Sequence, residues 1–536
     1  MKNTSFLTMT TIFLAQASFL LAAADTQRLQ WKPDASSSFE VSTQIRAWTI
    51  GDEGIDTILD NMQSMAGINN IYMVVVMHQE HRPYKAPEFP HNPARDAWEA
   101  EDSRVTFFPD MKRYGKIKPL LSDHEWLRQT DWLKVMVAAA RARGMSTGAE
   151  VSHFPIPKAL IRQNPDWQLK QIDGKGSSSR FCANNPDVRE YLIALFGDLA
   201  ANYDLDYIQT CQFVYDNKDI DQGGACFCEH CIIAAKADEF DLAAAIPILK
   251  KNKNAEPQRS QWIRLKFDST TKLYRDIAAK IKAENSKCHL RMNDVFRDNA
   301  FNHGLDFKAT SPYFGSVVTC DHAEQGGGKD MDFEFRKMWL TRNRKALGLD
   351  KPLLCAIAPR IDAYPELVKA GIKVAVEHPA NICGLALKHY DGASFSLLRA
   401  FKQGMIDAGV QGLTPTLGQE VEAMMLDGYK PFTEELIEEW GVETTSTGKA
   451  TYTFDQPSGI YDIRITYFDE ENGQSLVSLL IADQERVSFK MDEDVDCWRW
   501  RRFNQIHIDQ GDTITLQGQA HQGEHARLDY IEFIPK

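Results

Sequence analysis

Three thiols fall within six residues in Cys226-Phe-Cys228-Glu-His-Cys231. That compact spacing makes half of a tetrahedral metal site, and Cys182, in Arg180-Phe-Cys182-Ala-Asn-Asn-Pro186 and 44 residues before the trio, supplies a fourth ligand. A structural zinc ion is the group such a set would hold. In an oxidising compartment one or two disulfides, for example Cys182 to a member of the trio, are the alternative. His230 reads as a solvated loop residue beside the thiols. A second set consists of the carboxylates Asp321 (in Thr319-Cys-Asp-His322), Asp294, Glu150 and Asp216. Interleaved with them are Arg46, His78, His153, Gln212, His322, Arg360, His389 and Tyr390. Two carboxyl groups, one protonated and one ionised, are what cleavage of a glycosidic bond requires.

Those residues need elements to gather them. The run 39–50 reads as a strand, and Ile55, Ile58, Leu59, Met62 and Met65 follow with the spacing of one helix face. Further apolar runs at 71–77, 147–152, 207–214, 289–295, 315–320, 353–358 and 383–388 read as strands. Helical segments at 188–203, 260–284, 333–347, 363–377 and 395–403 lie between them. Eight strands, each followed by a helix, predict an α/β fold, a (β/α)8 TIM barrel spanning 39–425. No Gly-rich phosphate loop follows the first strand, which disfavours a doubly wound sheet.

In such a barrel the active site lies at the C-terminal strand ends, and every one of the eight ends carries polar candidates. Asp321, at a strand tip, is the first choice for the acid/base, followed by Asp294 and Glu150. Asp216 enters a loop, which also suits a structural role. Arg46, Arg360, His78, His322 and His389 could bind an anionic sugar such as a uronate or sulfate ester. A long insertion, 79–129, rich in Pro, His and aromatics, follows the second strand.

Near Met425 the pattern changes. After a linker at 426–440, residues 441–536 alternate with period two and are punctuated by Gln456-Pro-Ser-Gly459, Glu471-Asn-Gly473 and Gln510-Gly-Asp512. Short strands at this spacing predict an all-β sandwich. Trp498 and Trp500 share one face of a strand. They could stack on the C–H face of a sugar or pack in the core.

Two resemblances follow from these motifs. Gly448, Tyr452, Phe454, Gly459-Ile-Tyr461, Trp498, Trp500, Gly511-Asp-Thr-Ile514 and Leu528-Asp-Tyr-Ile-Glu-Phe533 occur in an order that resembles β-sandwich carbohydrate-binding modules of families 6 and 35. That resemblance implies sugar binding. The cysteine loop after the fourth strand resembles the structural zinc cluster of family 42 glycoside hydrolases, which implies a barrel glycosidase. The catalytic pattern of that family is not matched. Gln212-Phe-Val-Tyr-Asp216 stands where an Asn-Glu pair is expected and Ala356-Ile-Ala-Pro-Arg360 where a Glu is expected, so the chain is similar to a divergent member of the barrel glycosidases.

The formal charge of −13 and the absence of a Lys/Arg run argue against nucleic acid as a partner. Lys2, an apolar stretch to Leu21 and Ala22-Ala-Ala24 have the form of a signal peptide (1–24), followed by a polar linker (25–38). A secreted or periplasmic location is expected, with no membrane span. The sequence therefore points to a glycoside hydrolase acting on a polysaccharide or oligosaccharide through paired carboxylates, with no cofactor for catalysis. A non-catalytic polysaccharide-binding protein on a barrel scaffold is the alternative. A lyase or metal-dependent hydrolase, built on His78, Asp294 and His322, is a third reading.

Overall fold

Short apolar strands, each followed by a helix that covers its outer face, close on themselves at the centre of the molecule. The computed structural model describes residues 39–76, 90–92, 103–211, 213–216, 218–293, 302–319, 333–358, 364–388, 390–434 and 439–536. The strands are β1 (Glu40–Ile45), β2 (Asn70–Val76), β3 (Ser146–Val151), the outlying pair β4 (Gln168–Lys170) and β5 (Gly176–Phe181), β6 (Tyr207–Thr210), β7 (His289–Asn293), β8 (Ser316–Thr319), β9 (Leu353–Ile357) and β10 (Gly384–Leu387). All but β4 and β5 form a closed barrel of parallel strands in the order β1-β10-β9-β8-β7-β6-β3-β2. The expected (β/α)8 barrel is therefore present.

The first strand is shorter than the 39–50 run suggests. The chain leaves β1 after Ile45 and turns into a helix, Ala47–Glu53, whose Trp48 and Ile50 are buried. A short apolar run fits either period, and here the helix wins after one strand's length. The helix Pro186–Asn202 shows the local logic of the βα turns. Pro186 occupies the first turn, and the Asn185 side chain accepts from the amides of Asp187 and Val188 at 3.0 and 3.2 Å.

The C-terminal strands are β11 (Gly418–Glu420), β12 (Met425–Asp427), β13 (Lys430–Glu434), β14 (Glu439–Glu443), β15 (Thr447–Thr453), β16 (Gly459–Asp469), β17 (Leu476–Ile481), β18 (Gln484–Lys490), β19 (Cys497–Ile508), β20 (Thr513–Gln519) and β21 (Arg527–Pro535). One sheet runs β13-β14-β21-β16-β19 with β11 on β21, the other β12-β15-β20-β17-β18. Ile463, Ile465, Ile531 and Phe533 from the first share a core with Leu479, Ile481, Ile514 and Leu516 from the second. The stretch 426–440, read from sequence as a linker, carries β12 and β13, and the sandwich begins at β11. Three-residue strands lack enough alternation to show in the sequence.

The sandwich packs side-on against the barrel. Trp500 Nε1 donates to Asn61 Oδ1 at 2.7 Å, and Arg464 Nη1 donates to Ser64 Oγ at 2.9 Å while pairing with Glu532. Arg399, on the last barrel helix (Phe395–Asp407), reaches Asp529 at 3.0 Å and Glu420 at 3.3 Å. Trp498 is buried edge-on to Phe468, with ring centroids 5.4 Å apart, and belongs to the same core as the barrel. Of the two readings for these tryptophans, packing in the core is the one Trp498 follows, and Trp500 is half-buried against the same core.

Candidate functional site

Side chains that point into the barrel form two polar layers. In the lower one, Arg291 of β7 makes a two-pronged pair with Glu40 of β1 at 2.8 and 2.9 Å. These strands stand opposite each other in the ring, so the pair crosses the lumen. Asn70 donates to Glu40 at 2.8 Å and accepts from the Tyr207 hydroxyl at 2.8 Å, and Arg291 Nε donates to Ser316 Oγ at 2.9 Å. The Arg291 guanidinium also lies 3.5 Å above the Tyr207 ring. This end is plugged by matched partners.

The upper layer lies at the C-terminal strand ends. Glu150, at the penultimate position of β3 and 95% buried, accepts at Oε2 from Gln209 Nε2 at 2.9 Å and from Gln44 Nε2 at 3.4 Å. Burial, and after it the Glu150 carboxylate, push the Tyr72 phenol upward, so Tyr72 stays neutral beside it. Lys388, just past β10, adds a positive charge to this layer. Two acceptors here, Gln209 Oε1 and Asn293 Oδ1, are buried with no hydrogen-bond partner among the described residues. Of the four carboxylates predicted from sequence, Glu150 is the one that the structure places in this mouth.

Asp216 is placed differently. Arg180 Nε holds its carboxylate at 2.7 Å, and the same guanidinium donates to the carbonyls of His153 and Phe213 at 3.1 and 3.3 Å. The Asp216 carboxylate is thus engaged by a cation that ties two loops together, which fits the structural role its loop position also suits. His153 contributes its backbone carbonyl to this tie and is half-buried. Arg46 is buried at the end of β1, 3.4 Å from Asp391 and over the Trp48 ring at 5.2 Å. Tyr390, expected to contact substrate, is fully buried. Its hydroxyl accepts from Asn61 at 2.9 Å and donates to Glu53 at 3.0 Å, so it belongs to the packing behind the mouth. His78, Gln212, Asp294, Asp321, His322, Arg360 and His389 lie outside the described residues.

Tyr72, Gln209 and Lys388 were not singled out from the sequence. A cavity of about 830 Å³ lies elsewhere, lined by Lys337, Arg344, Lys345 and His378 among others at the ends of two outer helices. Its Arg344 is occupied by the carbonyls of Ala380, Gly348, Lys351 and Asn381, so it serves to hold loops.

The four cysteines do come together. Cys182 follows β5, Cys228 caps the helix Glu229–Ala237, and Cys231 sits in its first turn. All four sulfurs lie within 4.8 Å of one another, with Cys182 3.5 Å from Cys231 and 3.4 Å from Cys228, and none is disulfide-bonded. A tetrahedral zinc with bonds of about 2.3 Å needs sulfurs about 3.8 Å apart, so the set fits that ion. The Lys170 amide donates to Cys226 Sγ at 3.3 Å and Asn184 Nδ2 to Cys231 Sγ at 3.4 Å, as thiolates require. Hydrogen bonds from Cys182, Cys226 and Cys231 hold the Cys228 thiol well below its usual range, while Cys182 and Cys231 are pushed up. His230 turns away to Asp166, at 3.0 Å.

No family model matches this chain. Over 136 residues it is 35% identical to the probable alpha-glucuronidase A of Aspergillus terreus and 32% identical to the alpha-glucuronidase A of Aspergillus tubingensis. The chain is similar in part to carbohydrate-active enzymes. Each match takes in 22% of this chain and 16% of the relative, so the chain spans about a sixth of the length of the curated relatives it matches. Among solved structures, a β-galactosidase from Rahnella sp. R3 aligns at 11% identity and a TM-score of 0.46, covering 72% of this chain and 58% of that one. A family 35 carbohydrate binding module from Clostridium thermocellum aligns at 12% identity and a TM-score of 0.20, covering 23% of this chain and 100% of that one.

Proposed function

We propose that this protein hydrolyses glycosidic bonds of an anionic polysaccharide or oligosaccharide at the mouth formed by β1, β3, β6 and β7. The observation that carries the reading is Glu150, a carboxylate held by two amide donors beside buried acceptors that lack donors among the described residues. An unpaired buried acceptor costs about 1–3 kcal/mol, and sugar hydroxyls are the donors that would relieve it. Glu150 accepts hydrogen bonds, so it takes the role of base or nucleophile. The proton donor is Asp321, two residues past the end of β8, or Asp294, directly past β7. Lys388 favours a uronate or similar anion, the group that the name alpha-glucuronidase attaches to the partial relatives.

The cysteine set would hold a structural zinc that fixes the loop after β6, with no part in bond cleavage. Residues 1–24 would direct export to the periplasm or the medium. No helix among the described residues is long and apolar enough to cross a membrane.

The test is Asp321→Asn. Turnover on substrates with poor leaving groups should drop by on the order of 10²-fold or more and far less on activated aryl glycosides, which need little proton assistance. Equal losses on both would remove Asp321 from the donor role. Product stereochemistry then sets the carboxyl separation: retention for about 5 Å, inversion for about 6.5 to 9.5 Å.

A further inference from the structure

Where the sandwich meets the barrel, one hydrogen-bond chain runs from Trp500 of the sandwich to His91 of the barrel. The indole of Trp500 can only donate, and it does so to Asn61 Oδ1 at 2.7 Å. Asn61 therefore presents its Nδ2 to the Tyr390 hydroxyl at 2.9 Å, and that hydroxyl passes its own proton toward Glu53 Oε2 at 3.0 Å. The same carboxylate oxygen lies 3.0 Å from His91 Nδ1, while His91 Nε2 faces the Tyr390 carbonyl at 3.2 Å. The His91 ring is stacked on Phe395, with centroids 4.9 Å apart and planes 11° from parallel. Next to it, the Trp498 amide donates to the Pro90 carbonyl at 2.8 Å.

A carboxylate and a carbonyl are both acceptors. A ring held between them satisfies both only with a proton on each nitrogen, as an imidazolium against ionised Glu53. His91 and Glu53 are both buried, so this pair is shielded from water and salt. Among the described residues, the groups facing the ring are Glu53 on the helix after β1, Tyr390 and Asp391 after β10, and Phe395 on the last barrel helix, while Cys497 on β19 lies near Glu53. Asp391 is in turn held by Arg46 and Thr49.

We propose that the C-terminal sandwich is locked to the barrel by a proton-dependent junction centred on His91, so that the two units unfold together while His91 is charged and uncouple when it is neutral. The sandwich is then a fixed wall of the barrel, which is a different role from that of a tethered binding module. This holds whatever reaction the barrel mouth performs.

Burial pulls the His91 pKa down, but Glu53, the Tyr390 carbonyl and Asp391 together outweigh it and leave the ring above the ordinary 6.5. A histidine raised in the folded state contributes stability that is complete below the unfolded value of 6.5 and is lost as pH rises through the folded value. Calorimetry of the full chain from about pH 5.5 to 9 should show one coincident transition at the acid end, splitting into two by about 5 °C or more as pH rises. His91→Gln, which is neutral at every pH, should show the split throughout. Trp500→Phe, which keeps the ring and loses its N–H, tests the same junction from the sandwich side without touching the buried pair. Amide exchange in the peptide containing residues 90–92 should quicken about 10-fold in it at pH 6. Coincident transitions at every pH in the unmodified chain would overturn the proposal. So would a His91→Gln profile that tracks the unmodified one, or unchanged exchange in Trp500→Phe.

Discussion

The two ends of the barrel interior are made from the same residue types and are finished in opposite ways. At the lower end Glu40, Arg291, Asn70, Tyr207 and Ser316 satisfy one another across the lumen, and the carboxylate meets a guanidinium in a two-pronged pair. At the upper end Glu150 accepts from the side-chain amides of Gln209 and Gln44, and the far atoms of that layer, Gln209 Oε1 and Asn293 Oδ1, have nothing to accept from among the described residues. A polar layer that completes itself stabilises the fold. The upper layer, incomplete among the described residues, lies at the end where a barrel of this fold opens its site, and that is where the proposed substrate would bind.

The contrast can be broken most directly by removing one charge from each layer. Glu150→Gln should lower turnover by on the order of 10³-fold while leaving the thermal midpoint nearly unchanged, because the amide keeps the shape. Glu40→Gln should do the reverse: it strands the buried Arg291 and should cost about 3 kcal/mol or more in denaturant unfolding, with activity per folded molecule retained. The cysteine loop lies outside both layers. If it holds zinc, metal analysis should give about one ion per chain, and Cys228→Ala should lower the thermal midpoint more than it lowers turnover.

A smaller effect is expected from His289 at the lower end. Burial, reinforced by Arg291, holds its pKa down to about 3, below the unfolded value of 6.5. The unfolded chain then takes up a proton that the native one refuses, so stability should fall as pH drops from 6.5 toward 3. Urea unfolding across that range should show the decline, and His289→Gln should flatten it. The smallest change belongs to Asp216→Asn. With its carboxylate engaged by Arg180, turnover per folded molecule should change by less than about 3-fold.

The barrel was legible because its information is local. Runs such as 353–358 and 333–347 carry strand and helix periods that match β9 and the helix Phe333–Leu347. The cysteine trio was legible for the same reason, since a helix start brings Cys228 and Cys231 together whatever surrounds them. Trp498 and Trp500 show where this stops. Alternation placed them on one face, but that the barrel covers that face depends on Asn61, 439 residues away in sequence. Asp216 is similar: a carboxylate at a strand end reads as catalytic or structural until Arg180, brought in from β5, engages it. Gln209 is not legible because a polar residue inside a four-residue strand shows as a site residue only once the ring of strands gives it an inward direction.

The central claim is that the incomplete upper layer is a glycosidase site built on Glu150. Reducing-sugar release from uronate-bearing oligosaccharides, measured side by side for the unmodified chain and Glu150→Gln with their thermal midpoints matched, tests it most directly. The account predicts release by the unmodified chain and a loss on the order of 10³-fold in the variant. Equal release by both proteins, or none by the unmodified chain on uronate-bearing and neutral glycans alike, would contradict it.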